Sequence, residues 1–178
     1  MDLQKILADH KCWLETNKKM GAKADLSYAD LSEVELRYAD LRYADLYRVN
    51  FAYADLRSAD FSYANLRGAE FFFGKLHRAN FRGADLFNTD FNHADLQYTI
   101  FSRAKGFVLL PAQDHRGHLC PHAILKEDGW KIRAGYHFFT IEEAKTHWGE
   151  GYKGNREIGD MYLHAVEWLE RKLERESE

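Results

Sequence analysis

Four residues in the second half of the chain carry side chains that bind metal ions. His115, His118, Cys120 and His122 lie within eight positions of one another, and on a β-strand residues 118, 120 and 122 would project from the same face. Two imidazoles and a thiolate in that arrangement could bind zinc. The spacing lacks the C-x-x-C and H-E-x-x-H patterns of zinc sites, and Pro121 favours an edge strand or a loop. We therefore treat His118, Cys120 and His122 as a weak candidate metal site, against the alternative of turn histidines beside a small buried cysteine.

The sequence lacks the patterns that indicate catalysis. It has no Gly-rich phosphate loop, no nucleophile elbow and no serine set among suitable His and Asp residues. His147 and Trp148 end a short amphipathic segment, where such residues usually pack. The many aspartates between residues 25 and 95 recur at one turn position, which favours side chains that bond nearby backbone. The sequence predicts a protein that is not an enzyme and needs no cofactor.

Composition limits the location and the partners. The chain has 25 Lys and Arg against 28 Asp and Glu, a net charge of −3 without a basic tail, which disfavours direct binding to nucleic acid. Its two cysteines, Cys12 and Cys120, are far apart, so a disulfide framework is not expected. No apolar run reaches the roughly 18 residues that span a bilayer, and acidic Asp2 is unlike the start of a signal peptide. These features predict a cytoplasmic protein without a membrane partner.

A repeat of five residues dominates the first half of the chain. Leu or Phe stands at every fifth position from Leu26 to Phe101, sixteen times in all, and Ala stands two residues earlier in eleven of the sixteen repeats. A period of five fits neither the helical period of about 3.6 nor the strand period of 2, so the chain must turn a corner in each repeat. Four repeats then close a square coil of twenty residues. Sixteen repeats give four coils, which at about 4.8 Å per layer make a solenoid roughly 19 Å long.

The repeat, written A(D/N)LXX, resembles the pentapeptide-repeat family. The resemblance covers about half of the chain and implies a right-handed quadrilateral β-helix. We predict a mainly β protein with three parts: an N-terminal capping helix at residues 1–21, the β-solenoid at 22–105 and a small α+β domain at 106–178. Apolar residues at helical spacing support the capping helix, namely Leu3, Ile6, Leu7, His10, Trp13 and Leu14.

The last part shows both strand and helix signals. Stretches rich in β-forming residues occur at 107–110, 119–125 and 130–134. A helix is expected to start at Thr140, because Glu143 completes a capping box, and a second amphipathic helix follows. Its apolar stripe consists of Ile158, Tyr162, Ala165, Val166, Leu169 and Leu173. The stretch RAGYHFFTIEEAKTHWG resembles part of a small module found behind pentapeptide repeats in bacterial and bacteriophage proteins, a resemblance that implies such a source.

Outward positions on one side of a square coil recur every twenty residues, so each side, or wall, can be examined separately. The wall centred on residues 31, 51, 71 and 91 carries four acids, no Lys or Arg, and three aromatic rings. We call its outward residues the acidic face: Asp30, Ser32, Glu33, Asn50, Ala52, Tyr53, Glu70, Phe72, Phe73, Asp90, Asn92 and His93. Aromatic rings framed by polar groups are typical of binding patches. The predicted partner-binding residues are Asp30, Glu33, Tyr53, Glu70, Phe72, Phe73 and Asp90.

Two functions fit this face. The resemblance implies one of them, because some pentapeptide-repeat proteins cause quinolone resistance by imitating B-form DNA and occupying type II topoisomerases. Duplex DNA carries about one negative charge per 1.7 Å, so 19 Å of full mimicry would need roughly eleven unopposed acids, whereas residues 22–105 hold twelve acids and eleven Lys and Arg. We therefore predict a partial DNA mimic that inhibits or decoys a DNA-handling protein such as gyrase or a phage-defence nuclease. A homodimer would lengthen the mimic. The alternative is a scaffold or adaptor that binds its partner through residues 107–178.

Overall fold

A computed structural model of the chain describes residues 1–109, 122–126, 129–134, 137–149, 152–154 and 156–177. The chain forms two compact units, Met1–Lys105 and Gly106–Glu178, named here the solenoid unit and the C-terminal unit. Two residues of the candidate metal site, His118 and Cys120, lie outside the described residues, and so does the side chain of His122. The metal hypothesis therefore remains a prediction.

Residues 22–105 form a four-sided coil with twenty residues per turn. Parallel backbone bridges join residues twenty positions apart, from Asp25 with Asp45 to Asp85 with Lys105. The sides consist of isolated bridges instead of continuous strands, because the chain turns again within five residues. Each bridged layer still hydrogen-bonds to the next, as in Leu26 N–H to the Asp45 carbonyl at 2.8 Å. The twenty-residue coil expected from the sequence is confirmed.

Each corner of the coil is a tight turn that holds one residue in the left-handed region. The small residue of a repeat donates its N–H to the carbonyl of the preceding centre, as Ala29 does to Leu26 at 3.0 Å. The residue two positions after every centre has a positive φ, as type II turns require, and only Gly68 and Gly83 among these sixteen are glycines. A side chain makes this conformation unfavourable by about 1 to 2 kcal/mol. Hydrogen bonds between coils offset the cost, because the N–H of the same residue donates to the next coil, as Tyr28 does at 2.8 Å.

The recurring Asp and Asn side chains stabilise these turns. Their side-chain oxygens accept hydrogen bonds from the backbone N–H two residues later, for example from Ser27 to Asp25 at 3.0 Å and from Ser62 to Asp60 at 2.8 Å. Twelve repeats share the bond: Asp25, Asp30, Asp40, Asp45, Asn50, Asp55, Asp60, Asn65, Asn80, Asp85, Asp90 and Asp95. The structural role predicted for these residues is confirmed.

Two columns of stacked phenylalanines fill the middle of the coil. On one wall Phe51, Phe71 and Phe91 stack with centroids 5.3 and 5.0 Å apart. Phe61, Phe81 and Phe101 form the matching column ten residues away along the chain, at 4.9 and 5.3 Å. Rings of the two columns meet edge to face, which is a favourable geometry for aromatic pairs. The remaining centres are leucines, and nearly all of them are fully buried.

Helix α1, Leu3–Glu15, packs on the first coil. His10 on α1 is fully buried, and its Nδ1 accepts a hydrogen bond from the Ala24 N–H at 3.0 Å. The edge of the Trp13 ring meets Tyr43 with centroids 6.5 Å apart. The helix therefore covers apolar side chains that the open end of a solenoid would otherwise expose.

The C-terminal unit combines an antiparallel sheet with two helices. Its elements are β1 Phe107–Leu109, β2 His122–Lys126, β3 Gly129–Ala134, β4 His137–Phe139, α2 Ile141–Trp148 and α3 Arg156–Ser177. The strands pair in the order β1-β2-β3-β4, and the capping box of Thr140 and Glu143 begins α2 as predicted. Strand β4 was not expected from the sequence. The unit packs around a core of Ile132, Ala144, Trp148, Ala165, Val166 and Leu169. Among the described residues, no helix is long and apolar enough to cross a membrane.

Replacing a core ring should destabilise the solenoid far more than replacing a surface ring of the same repeat. Phe71 is fully buried and Phe73 is 46% exposed. We expect Phe71→Ala to lower the free energy of unfolding by about 3 to 5 kcal/mol, since it leaves a cavity in the stacked column. The matched control Phe73→Ala should cost less than about 1.5 kcal/mol. Urea denaturation followed by circular dichroism measures both, and equal losses would contradict the assignment of the column as the core.

Acid should loosen the contact between α1 and the coil. Burial lowers the pKa of His10, against the opposing influence of the Asp40 carboxylate, so the folded protein binds this proton less readily than the unfolded chain does. Stability is then present above the unfolded pKa of about 6.5 and is lost as pH falls below it. Protonation would also place a hydrogen on Nδ1, opposite the Ala24 N–H donor.

The variant His10→Asn tests this by keeping an acceptor near the position of Nδ1 without a titratable group. Urea denaturation between about pH 7 and about pH 5 should show a larger loss of stability for the wild type than for the variant. Parallel pH profiles for the two proteins would contradict this prediction, because they would show that His10 binds its proton equally well in the folded and unfolded states.

Candidate protein-binding face

The fold places the whole acidic face on one side of the coil. Backbone bridges connect Asp30, Asn50, Glu70 and Asp90 in one column. The N–H of Glu33 donates to the carbonyl of the next layer at 2.8 Å, and the corresponding bonds continue along the wall. All seven residues predicted to bind a partner therefore share this surface, backed by the Phe51, Phe71 and Phe91 column. Whether they bind a partner remains a prediction.

The rings of the acidic face form one ordered cluster. Tyr53, Phe73 and His93 stack along the wall with centroids 5.5 and 4.5 Å apart and planes within 13° of parallel. Phe72 meets each of the three rings edge to face at 4.7 to 5.8 Å. Tyr53 is 53% exposed and Phe73 is 46% exposed, while Phe72 is half-buried. The cluster presents partly exposed aromatic rings to solvent in a fixed arrangement.

The turn geometry explains this stack. Tyr53, Phe73 and His93 all occupy the left-handed turn position, with φ of 60°, 53° and 60°. Equal backbone conformations in successive coils point their side chains in the same direction, so rings twenty residues apart lie face to face. His93 was not among the residues predicted to bind a partner, although its spacing of twenty residues from Phe73 indicates that it belongs to the same row.

The four acids of the face differ in their surroundings. Asp30 accepts hydrogen bonds from the Ser32 N–H and from Asn50 Nδ2, both at 3.1 Å, and the Ser32 side chain and backbone lower the pKa of Asp30. The carboxylate of Asp90 accepts bonds from the Asn92 backbone at 2.8 Å and side chain at 2.7 Å. A backbone bridge joins Glu70 to Asp90, so two acidic residues stand on adjacent layers whose backbones are about 4.8 Å apart. The face therefore concentrates negative charge that its own residues do not neutralise.

The other three walls balance their acids with arginines. Arg42 pairs with Asp40 at 2.7 Å on one wall, and Arg67 approaches Asp85 at 3.5 Å on another. On the third wall Arg57 pairs with Asp55, and this hydrogen bond lowers the pKa of the aspartate. These exposed pairs contribute little to stability, but they cancel charge locally. The acidic face lacks Lys and Arg altogether.

The described residues include potential metal ligands and the His147–Trp148 pair. Among them, no group of three His, Cys, Asp or Glu side chains is placed to hold a metal ion. His147 lies against Phe139 and Tyr152 with centroids 4.9 and 5.7 Å apart, and Trp148 is buried in the core. Both residues take part in packing, as expected from the sequence.

A four-sided coil of stacked five-residue repeats places this part of the chain in the class of β-solenoid repeat proteins. The profile of the family described as pentapeptide repeats matches eight copies in residues 22–51, 50–86 and 75–105. Residues 22–105 therefore belong to the pentapeptide-repeat family, whose members form right-handed quadrilateral β-helices. The matched segments end at residue 105, so the resemblance of the C-terminal module remains a prediction.

Several solved structures are similar to this chain. The pentapeptide-repeat protein Rfr23 from the cyanobacterium Cyanothece 51142 is 30% identical, with 47% of this chain and 56% of Rfr23 covered and a TM-score of 0.46. A pentapeptide-repeat protein from the Arabidopsis thaliana thylakoid lumen is 27% identical, with 52% and 71% covered and a TM-score of 0.30. QnrB1, a plasmid-mediated fluoroquinolone resistance protein, is 22% identical, with 50% and 56% covered and a TM-score of 0.26. None of the curated proteins matches the chain significantly.

Neutralising Glu70 should stabilise the protein. Glu70→Asn removes the like charge beside Asp90 and supplies the short side chain that bonds the turn in twelve other repeats. Glu35→Asn is the matched control, because Glu35 bridges to Asp55, whose charge Arg57 already offsets. We expect Glu70→Asn to gain about 0.2 to 1 kcal/mol more than the control in urea denaturation. A smaller gain at Glu70 than at Glu35 would show that the paired acids do not repel.

Proposed function

We propose that this chain is a non-catalytic protein-binding module whose acidic face occupies the basic groove of a DNA-handling protein. It would act there as an inhibitor or decoy by partial DNA mimicry. The observation that carries the proposal is the combination of unopposed acids with an ordered, exposed ring cluster on one wall. Tyr53 and Phe73 stack at 5.5 Å within that cluster, and Glu70 with Asp90 stands beside it.

The ring cluster can supply affinity because it is already ordered. Aromatic side chains dominate the energetic centres of protein interfaces when they enter desolvated pockets. Binding normally costs about 0.5 to 1.5 kcal/mol for each side chain that must be immobilised. In this face the turn conformation, the stacking on His93 and the edge contact with Phe72 already hold Phe73. Most of that ordering cost is therefore met on folding, before a partner arrives.

The charge of the face explains why the mimicry is partial. Asp30 and Asp90 are three layers apart, about 14 Å, a length over which duplex DNA would carry roughly eight negative charges. The face supplies four acids, about half of that density. Charge alone would therefore give weak binding, and we infer that contacts made by the aromatic rings provide the rest of the binding free energy.

A basic groove is the surface that fits such a face. Lys and Arg side chains that line a DNA channel would attract the acids over a Debye length of about 8 Å at physiological salt. The same attraction raises the association rate and makes binding sensitive to salt. A topoisomerase such as gyrase or a phage-defence nuclease contains a channel of this kind, and we propose these enzymes as target classes.

Capture from bacterial lysate tests the proposal. The test variant combines Glu70→Lys, Phe72→Ala and Phe73→Ala. The control variant makes the same kinds of change on another wall, with Glu35→Lys, Tyr38→Ala and Tyr98→Ala, all at exposed residues. We expect the wild type and the control to capture a DNA-handling enzyme at low salt. The test variant should capture at least about tenfold less of that enzyme.

Two further measurements sharpen the result. Short duplex DNA should displace the captured enzyme, and about 0.5 M NaCl should weaken the capture because salt screens exposed charges. Capture that both variants retain would contradict the proposal and move the binding site to the C-terminal unit, as the scaffold alternative predicts. Loss in both variants would show that the solenoid does not bind through one particular wall.

A further inference from the structure

Helix α3 carries a second surface that faces solvent. One side of the helix contributes Ala165, Val166 and Leu169 to the core of the C-terminal unit. The opposite side carries cations around an indole that is 39% exposed. We call it the basic strip, made of His164, Trp168, Arg171, Lys172 and Arg175. His164, Trp168, Arg171 and Arg175 follow one another at intervals of three or four residues, and Lys172 lies four residues after Trp168, which aligns them along the helix.

Two acids of the same helix lie near the strip or pair elsewhere. Glu170 is engaged by Lys145 of α2, with nitrogen and oxygen 2.6 Å apart. Glu167 lies at the border of the strip, 4.0 Å from Arg171. A tryptophan surrounded by cations is enriched in protein interfaces and rare on idle surface. The strip therefore fits a partner that is both anionic and aromatic.

We propose that the basic strip binds the acidic face of a second copy of this chain. This inference goes beyond the proposed function: it uses the same face but requires no other protein. The charges are complementary, since the acidic face has four acids and no cation while the strip supplies Arg171, Lys172 and Arg175. The aromatic content also matches, because the indole of Trp168 can contact the exposed edges of the Tyr53 and Phe73 rings, whose shared faces are already stacked.

The spacing along the two surfaces matches as well. A helix that lies parallel to the solenoid axis presents one side chain per turn, about every 5.4 Å. The coil presents one residue per layer, about every 4.8 Å. His164, Trp168, Arg171 and Arg175 lie on four successive turns, and the acidic face has four layers. The mismatch over three steps is about 2 Å, which long arginine side chains can absorb.

Alignment of the four turns of the basic strip with the four layers of the acidic face gives each strip residue a defined partner. With Arg175 opposite Asp90, Arg171 falls opposite Glu70, and Trp168 then reaches the layer of Tyr53. The like-charged pair of Glu70 and Asp90 would be neutralised by two arginines that are one helical turn apart. Nucleic acid fits less well, because a continuous line of phosphates along α3 would also meet Glu167 and Glu174 at the border of the strip. The discrete acids of a second copy avoid that repulsion.

The contact has a consequence for regulation. Face and strip are different surfaces, so the contact is heterologous, and each added copy leaves one free face and one free strip at the ends of the assembly. Self-association covers the acidic faces of all copies but one. Association at high concentration or low salt would therefore compete with binding of another protein to the same face.

Sedimentation velocity on the purified chain tests the inference. The wild type should associate at about 50 mM NaCl and dissociate at about 500 mM. The face variant combines Glu70→Lys with Phe73→Ala, and the strip variant combines Trp168→Ala with Arg171→Glu. Each variant alone should remain monomeric under conditions where the wild type associates. The control Arg82→Glu changes an exposed cation on another wall and should associate as the wild type does.

Mixing the two variants gives the decisive measurement. The strip variant keeps an intact face and the face variant keeps an intact strip, so an equimolar mixture should form a 1:1 heterodimer and nothing larger. Circular dichroism of each variant confirms folding. A monomeric wild type at low salt, or a mixture that stays monomeric, overturns the inference. Failure of lysate capture alone affects only the proposed function, because the sedimentation experiment contains no other protein.

Discussion

Hydrogen bonding between successive coils is the constraint on which the rest of the solenoid depends. Each layer donates backbone N–H groups to the layer twenty residues later, as Leu31 does to Asn50 at 2.8 Å. That register superimposes equivalent positions of every fourth repeat. The backbone conformation and side-chain direction at one position therefore recur along the whole wall. The stacked phenylalanines, the column of turn residues and the acidic face all result from this superposition. A shift of one repeat would move every column to a different wall.

The same register holds the strained turn residues in place and thereby orders their side chains on the surface. The left-handed turn residues are unfavourable individually, yet Tyr28 and its equivalents are held by hydrogen bonds to the next coil. Because the backbone leaves them no alternative, their side chains point outward in rows. Tyr53, Phe73 and His93 form such a row on the acidic face, and Tyr43 with Tyr63 stacks at 5.2 Å on another wall. Exposed rings become rigid surfaces without being buried.

Both proposals depend on the uneven distribution of charge. The solenoid carries nearly equal numbers of acids and bases, but Arg42, Arg57 and Arg67 reside on three walls with nearby acids. The fourth wall has Glu70 and Asp90 on adjacent layers and no Lys or Arg, an arrangement that favours a cationic partner. On α3 the cations around Trp168 form the opposite kind of surface. Interaction between such surfaces would depend on salt and on protein concentration.

The sequence by itself determined the coil and its walls. Period-five Leu and Phe residues cannot be buried by a helix or a flat sheet, and the twenty-residue spacing already grouped Glu70, Phe73 and Asp90. It also specified the start of α2, because a capping box is a local interaction between Thr140 and Glu143. Local pattern could not reveal strand β4, whose three residues become a strand only by pairing with β3.

Only the tertiary structure decided how side chains on one wall meet. The stacking of His93 on Phe73 and the bond from Asn50 to Asp30 depend on contacts between layers. Burial of His10 depends likewise on its contact with Ala24, fourteen residues away. Such contacts follow from distances between parts of the chain that are remote in sequence, and a pattern of residue types does not contain those distances.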